Sequence, residues 1–287
     1  MQLYTVTVED EGKRLREILR GRMQISYSAM KSAKWNGEIR VNGARSTVDV
    51  RVRPGERIEV LMPERQPVFI PEAFEIPLEI PYEDEWMMIV DKPAPLASQS
   101  SRSRPGNSLE NAVYSYLGQP EGFIYRPVNR LDKGTSGLMV IAKDGHSQDL
   151  LQRELHTADF RREYVAMTAG IPEPEEGVID LPIGKADGAT VRREIRQDGK
   201  PARTHYRVTE KRPDGRAMVR LRLETGRTHQ IRVHLAAIGC PVCGDFLYGT
   251  EMPEEFPGRF ALHSAYVRVR HPMTGAFIEM ESAPKWT

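Results

Sequence analysis

The chain has 287 residues, a length that predicts about two domains at roughly 150 residues each. Hydrophobic residues make up 39% of it and charged residues 28%, with a mean hydropathy of −0.50, which is typical of a soluble globular protein and excludes a disordered chain. The apolar runs are too short to cross a bilayer, and two cysteines cannot form a disulfide framework. The N-terminal residues do not have the pattern of a signal peptide. We therefore expect a cytoplasmic protein with no membrane partner.

Basic and acidic residues are segregated along the chain, although the formal net charge is only +1. Residues 1–63 contain 12 Lys and Arg against 8 Asp and Glu, residues 64–91 contain 1 against 8, and residues 192–232 contain 13 against 5. A single basic block is explained well enough by a solvated surface. Two Arg-rich blocks together favour a polyanionic partner, because the planar guanidinium binds phosphates through paired hydrogen bonds and stacks on bases.

The first 63 residues predict a small module of helices followed by short strands. Apolar residues at helical spacing predict one helix over 13–23 and another over about 28–35. Alternating apolar residues predict strands over 38–42, 48–52 and 58–62. The stretch 64–77 is acidic and rich in proline, which predicts an extended linker. A second, larger domain is then expected over 78–287.

The larger domain has signals for both strands and helices. Apolar runs predict strands over 86–90, 137–142 and 164–168. Helical spacing predicts helices over 109–117, 147–155 and 231–238, the first with Ser108 as its N-cap. The predicted fold class is therefore α+β, with a mixed, largely antiparallel sheet beside a small N-terminal α/β module.

Two stretches carry residues suited to chemistry in a cleft. Arg130 and Asp132 lie in a glycine-containing loop that leads into the predicted strand 137–142, an arrangement that can place a carboxylate on a rigid support. Arg227 and Arg232 lie around the start of a predicted helix and can each pair with a carboxylate or a phosphate. By spacing alone, a surface turn with a capping Asp and a basic helix face are the simpler interpretations.

A third group, His229, His234, Cys240 and Cys243, raises the alternative of a zinc site, since tetrahedral zinc binds these side chains. The two histidines are five positions apart, which places them about 140° apart around a helix. Cysteine is also often buried as a plain apolar residue. The sequence therefore favours a site without metal.

Several motifs, taken in order, closely resemble those of the RluA-type pseudouridine synthases over about residues 78–287. The matching motifs are Arg130-Leu131-Asp132 with Thr135–Leu138, Arg162-Glu163-Tyr164-Val165-Ala166, Pro182–Lys185, Gly199–Thr204, Thr225–Leu235, Gly244–Gly249, Leu262-His263-Ser264 and His271-Pro272. One departure is Asn129, where many members have His. Residues 12–63 are similar to the RNA-binding domain of the ribosomal-protein-S-four type, on the two basic helices and the stretch Gly37–Gly43.

This resemblance implies an RNA pseudouridine synthase, which breaks the glycosidic bond of a flipped-out uridine and rejoins the uracil through carbon. Asp132 would attack the ribose, attack the base or remove a ribose proton, and these three alternatives stay open. Arg227 would be its cationic partner, and Tyr164 would pack against the base and accept a proton. The residues expected to bind RNA are Arg130, Arg232, Arg16, Arg20, Lys31 and Lys34.

No redox or hydrolytic step occurs in this isomerisation, so the resemblance implies neither a cofactor nor a metal. We expect a monomer whose partner is RNA, with rRNA favoured over tRNA. The alternative is a non-catalytic RNA-binding or ribosome-assembly factor on the same fold. A protein of that kind is expected to have lost Asp132, Tyr164 or Arg227, and all three are present.

Overall fold

The computed structural model describes residues 2–25, 27–62, 70–100, 106–155 and 157–286, and the chain divides into two compact units, 1–70 and 71–287. Of the linker expected over 64–77, residues 64–69 lie outside the described residues. The later part belongs to the larger unit. The Glu72 carbonyl accepts a hydrogen bond from Asn111 Nδ2 at 2.7 Å, and the Phe74 N–H donates to Ser115 Oγ at 2.7 Å. Residues 71–77 are therefore a packed segment of the larger unit and not an extended linker.

The smaller unit combines two helices with a four-stranded antiparallel sheet of order β1-β4-β2-β3. Its elements are β1 (Gln2–Thr5), a 3₁₀ turn (Val8–Asp10), α1 (Leu15–Gly21), α2 (Tyr27–Asn36), β2 (Glu38–Val41), β3 (Ala44–Arg45) and β4 (Arg57–Leu61). Leu15, Ile18 and Leu19 of α1 are buried in one core with Ile58 and Val60 of β4. Met30 and Ala33 of α2 lie in the same core, so the apolar faces of both helices are used as their spacing predicted.

The strand predicted over 48–52 is wrong. The carbonyls of Val48 and Val50 accept hydrogen bonds from the N–H groups of Arg16 and Leu15, both at 2.8 Å. These N–H groups are at the start of α1, where a helix has no internal acceptor for them. Val48 and Val52 are buried, so the alternating pattern comes from a segment that caps a helix and not from a sheet.

The larger unit is built on a nine-stranded mixed sheet of order β5-β6-β7-β14-β8-β13-β12-β9, with β15 paired to β14. Its strands are β5 (Glu79–Glu83), β6 (Met87–Lys92), β7 (Ser136–Ala142), β8 (Arg161–Thr168), β9 (Glu176–Asp180), β12 (Arg203–Lys211), β13 (Ala217–Leu223), β14 (Leu262–Arg270) and β15 (Phe277–Glu281). A separate hairpin consists of β10 (Ile183–Lys185) and β11 (Arg193–Ile195). The helices are α3 (Leu109–Tyr116), α4 (Gly145–Glu154) and α5 (Gln230–Ala237).

In this sheet β7 and β14 run parallel and the other neighbouring strands that the structure describes run antiparallel. The predicted α+β class with a mixed, largely antiparallel sheet is thus confirmed. Every residue of β7 is buried, as expected for a central strand covered on both faces. Within the described part of the chain, no helix is long and apolar enough to cross a membrane.

Candidate active site

A cavity of about 680 Å³ lies among the loop before β7, strand β8 and the start of α5. The sequence motifs at 129–138, 162–166 and 225–235 each contribute to its lining. The first two are brought close together because β7 and β8 both neighbour β14 in the sheet. Five of the predicted site residues line it: Arg130, Asp132, Tyr164, Arg227 and Arg232. The other four lie in the smaller unit, Arg16 and Arg20 on α1 and Lys31 and Lys34 on α2.

The loop that carries Asp132 is fixed by hydrogen bonds of the residues just before it. The Ser98 hydroxyl donates to the Leu131 carbonyl at 2.5 Å and accepts from the Leu131 N–H at 3.1 Å. Asn129 Oδ1 accepts from the Val140 N–H at 2.9 Å, which ties the loop to β7. The Asn129 side chain, which departs from the His of the motif, therefore has a structural contact. With its backbone fixed, Asp132 keeps 26% of its side chain exposed toward the cavity.

The cation that holds Asp132 is Arg232, not Arg227. Arg232 Nη1 donates to Asp132 Oδ2 at 2.9 Å, and its Nε and Nη2 donate to the two carboxylate oxygens of Asp245 at 2.7 and 2.8 Å. Arg232 is 3% exposed and Asp245 is fully buried. Burial opposes the charge of Arg232, but its hydrogen bonds and charge interactions with the two carboxylates outweigh this and raise its pKa. The expectation that Arg232 contacts RNA phosphates is therefore wrong.

Arg227 has a different position. It precedes α5, is half-buried at the cavity wall, and donates from Nε to the Pro201 carbonyl at 3.0 Å. Arg232 is the third residue of α5 and lies on the side of that helix that faces Phe260, whose ring is 4.1 Å from the guanidinium carbon. Arg232 thus has the place beside Asp132 that was predicted for Arg227, and Arg227 lines the cavity wall.

His229 is a site residue that the sequence analysis did not assign to the cavity. It precedes α5 with a φ of 58°, an uncommon conformation for a residue other than glycine. Its Nδ1 is 2.7 Å from the Tyr248 hydroxyl, which also accepts from the Arg193 N–H at 2.8 Å. Its Nε2 is 3.9 Å from Asp132 Oδ2. Burial lowers the pKa of His229, so the ring is neutral at pH 7.

Burial also shifts the pKa values of Tyr164 and Lys92 in the larger unit. Burial raises the pKa of Tyr164, whose ring lines the cavity from β8. Lys92 is fully buried, donates to the carbonyls of Pro93 and Leu96 at 3.0 and 2.7 Å, and has its pKa lowered to about 7 by burial. Arg162 lines the cavity two positions before Tyr164. Residues two positions apart in a strand point to the same face of the sheet, so the sequence could have placed Arg162 on the face of Tyr164.

The zinc alternative does not fit the geometry. His234 is buried, with Nδ1 2.9 Å from Thr204 Oγ1 and Nε2 2.9 Å from the Leu181 carbonyl, so both ring nitrogens already have partners. Burial raises the pKa of the Cys243 thiol to about 11, which disfavours the thiolate that binds zinc. Across the residues that the structure describes, no group of three or more His, Cys, Asp or Glu side chains is placed to hold a metal ion.

Much of the basic block 192–232 is neutralised by neighbouring carboxylates. Arginines on its strands and turns form exposed ion pairs, namely Arg196–Asp198, Arg203–Asp180, Arg207–Glu176, Arg216–Asp214 and Arg220–Glu163. In the smaller unit Arg16 likewise pairs with Asp49 at 2.9 Å, whereas Arg20, Lys31 and Lys34 are exposed. For residues 192–232, the number of arginines in the sequence therefore overstates the positive charge that is not paired with a carboxylate.

Comparison with known proteins gives a consistent result. A profile of the RNA pseudouridylate synthase family matches residues 86–237. An uncharacterized RNA pseudouridine synthase of Bacillus subtilis, YjbO, is 36% identical over 257 residues, which are 88% of this chain and 89% of that protein. The ribosomal large subunit pseudouridine synthase D of Nitrosomonas europaea is 38% identical over 255 residues, 85% of this chain and 73% of that one.

Among solved structures, human RNA pseudouridylate synthase domain containing 1 aligns with a TM-score of 0.61 and 25% identity, over 77% of this chain and 86% of that chain. The predicted enzyme class, RNA pseudouridine synthase, is confirmed, and the alternative of a non-catalytic factor is not supported. The region matched by the family profile includes the motifs that line the cavity. The chain therefore belongs to the RluA-type family of RNA pseudouridine synthases.

Proposed function

We propose that this enzyme isomerises uridine in ribosomal RNA and that Asp132 is its catalytic carboxylate. One observation carries the proposal: Asp132 faces the cavity while its Oδ2 is held by the buried guanidinium of Arg232 at 2.9 Å. A carboxylate fixed in this way can form a covalent bond or take a proton without first having to be positioned. Asp245 holds the other edge of the same guanidinium and so acts as a positioning residue.

The position of Asp132 supports base flipping. Its carboxylate lies in a concave site, whereas a uridine stacked in a helix keeps its glycosidic bond within the duplex. The target nucleotide would therefore leave the stack to reach the cavity. Arg130 is exposed and two positions from Asp132, which supports a role for its side chain in occupying the gap that the nucleotide leaves.

Tyr164 fits one of its two expected roles better than the other. Its ring lines the cavity and can pack against the uracil. Because burial raises its pKa, the hydroxyl keeps its proton at neutral pH. We therefore assign Tyr164 to packing and hydrogen-bond donation, and regard direct removal of a proton by its phenolate as the weaker hypothesis.

His229 is suited to donate a hydrogen bond to the substrate. The Tyr248 oxygen accepts from the Arg193 N–H, and we assign the Tyr248 proton to the hydrogen bond with His229 Nδ1. In the neutral ring the proton is then on Nε2, the nitrogen directed toward Asp132. A ribose hydroxyl or a uracil carbonyl beside Asp132 would find a fixed donor there.

Two observations support ribosomal RNA as the substrate. Several relatives are named ribosomal large subunit pseudouridine synthase D, including those of Nitrosomonas europaea and Haemophilus influenzae. The smaller unit also presents exposed cations on α1 and α2, which suits an RNA-binding domain of the S-four type. The two features together favour a structured RNA over a small substrate.

The test compares Asp132→Asn with Asp214→Asn, a matched change at an exposed carboxylate outside the cavity. Pseudouridine would be mapped across all RNA of cells that contain the wild type, either variant or no enzyme. We expect Asp132→Asn to lower the rate of isomerisation by about 10⁴-fold or more, the scale typical of an essential catalytic group, while RNA binding persists. Asp214→Asn should behave as wild type.

Near-normal modification by Asp132→Asn would show that another group carries the chemistry. Sites that disappear only from tRNA would leave the enzyme class intact and refute the proposed ribosomal substrate.

A further inference from the structure

One face of α2 carries two aromatic and two basic side chains. Tyr27, Lys31, Lys34 and Trp35 occur at positions i, i+4, i+7 and i+8, which lie within one side of a helix. We call these four residues the α2 stripe. The opposite side holds Met30 and Ala33, both buried in the core of the smaller unit, so the stripe is not needed to fold the helix.

Both rings of the stripe are largely exposed, Tyr27 to 63% and Trp35 to 67%. A cation lies near each of them. The Lys34 ammonium is 5.1 Å from the centre of the Trp35 ring, and the guanidinium carbon of Arg20 is 6.0 Å from the centre of the Tyr27 ring. Two exposed aromatic rings, each beside a positive charge, form a surface whose composition suggests a ligand with flat apolar faces and negative charge.

Unpaired nucleotides have this chemistry. A base presents a flat face that stacks on an aromatic ring, and the adjoining phosphate pairs with a lysine or arginine. A duplex hides those base faces, so it would use the cations and not the rings. A protein partner is less well matched, because lysine is depleted from the cores of protein interfaces. The two rings are eight residues apart, about 12 Å along the helix, so a single nucleotide does not account for both.

We propose that the α2 stripe binds unpaired nucleotides of the RNA substrate by stacking bases on Tyr27 and Trp35. This rests on the proposed function, in which the smaller unit contributes to binding RNA. It goes beyond that function because it states that the smaller unit recognises single-stranded RNA and not duplex RNA. Lys31 and Lys34 supply the contacts to phosphate, while the rings supply selectivity for single strands.

The experiment measures binding of full-length protein to a labelled oligocytidylate and to its duplex with oligoinosinate, neither of which contains the uridine that the cavity would take. Trp35→Ala is compared with Trp35→Phe, which keeps an aromatic face, and with Val8→Ala, a change at another exposed apolar residue of the smaller unit. We expect Trp35→Ala to weaken binding of the single strand about fivefold or more. Duplex affinity should not change, and Trp35→Phe and Val8→Ala should bind nearly as wild type.

The salt dependence separates stacking from charge. Trp35→Ala removes no charge, so the slope of log affinity against log salt should stay the same, whereas Lys34→Ala should make it shallower. Wild-type affinity of Trp35→Ala for the single strand would overturn the proposal and leave a protein-binding face as the interpretation of the stripe. An equal loss with single strand and duplex would overturn it as well. Pseudouridine formation is measured separately, so failure of the enzymatic proposal is distinguished from failure of this one.

Discussion

Arg232 connects Asp132, the proposed catalytic group, to the stability of the fold. Its guanidinium is bound by Asp132 at the cavity and by Asp245 in the interior. Removing one partner of a buried ion pair leaves the other charge without compensation, which costs much more than the loss of an exposed pair. Asp245 is fully buried. If Arg232 were replaced by a neutral residue, the charge of Asp245 would lose its cationic partner.

We therefore predict that Arg232→Gln lowers the free energy of unfolding by about 3–5 kcal/mol and also removes activity. Arg227→Gln is the matched control, since Arg227 is half-buried and donates to a single carbonyl. Its effect on stability should be below about 1 kcal/mol. Urea unfolding of both variants measures the difference. If Arg227→Gln proved the more destabilising of the two, the assignment of Arg232 as the buried partner of Asp132 and Asp245 would be incorrect.

Arg227 and Arg232 also show how much of the site could be predicted from the sequence. The motifs predicted that Asp132, Tyr164 and the arginines of 225–235 belong to one site, and they line one cavity. Which arginine meets Asp132 depends on the start of α5 and on the burial of Asp245, and neither is visible in residue spacing. His229 was missed as a cavity residue for a similar reason, because its orientation depends on Tyr248, nineteen positions further along the chain.

At the scale of elements, the junction of β7 and β14 positions the loop of Asp132 beside Tyr164. Gly137 opposes Ser264 in this parallel pair, and Ser264 in turn opposes Tyr164 of β8. Gly137 has a φ of +107°, and a Cβ added there would lie 2.3 Å from the Ser264 carbonyl oxygen and 2.6 Å from its nitrogen. The strands can approach this closely only because residue 137 has no side chain.

Gly137→Ala should therefore destabilise the protein by more than about 3 kcal/mol, since it adds a backbone clash to the cost of a positive φ. Gly188→Ala provides the control. Gly188 has a φ of +67° and open space around it, so only the backbone cost of about 1–2 kcal/mol applies. Thermal unfolding of the two variants would isolate the clash, and equal shifts in Tm would argue against the close approach of β14.

The elements themselves were predicted unevenly. Strands β6, β7 and β8 and helices α3 and α4 were found close to their observed bounds, because their apolar runs and the Ser108 cap are local signals. The strand expected at 48–52 failed because the alternating valines cap α1. The order of strands in the sheet pairs segments as distant as β7 and β14, and this is a tertiary property that local patterns do not contain.

For the molecule as a whole, we predict that the division at residue 70 separates RNA binding from catalysis. The cavity residues run from Ser98 to Leu262 and all belong to the larger unit. The smaller unit has its own buried core and carries exposed Arg20, Lys31 and Lys34 on its helices. A unit with its own core is able to fold independently, so loss of the smaller unit should affect binding of RNA rather than chemistry.

Deletion of residues 1–70 is expected to weaken RNA binding about tenfold or more and to make its salt dependence shallower, because fewer counterions are released when fewer cations contact phosphates. The rate constant at saturating RNA should change by less than about twofold, since every group around Asp132 is retained and a lost binding contact alters KM rather than the chemical step. The measurement pairs affinity at several salt concentrations with single-turnover rates for the full-length and truncated enzymes. Unchanged affinity and slope would mean that the smaller unit is not an RNA-binding domain. A collapse of the saturated rate would mean instead that the smaller unit takes part in catalysis, and that the division at residue 70 does not separate binding from chemistry.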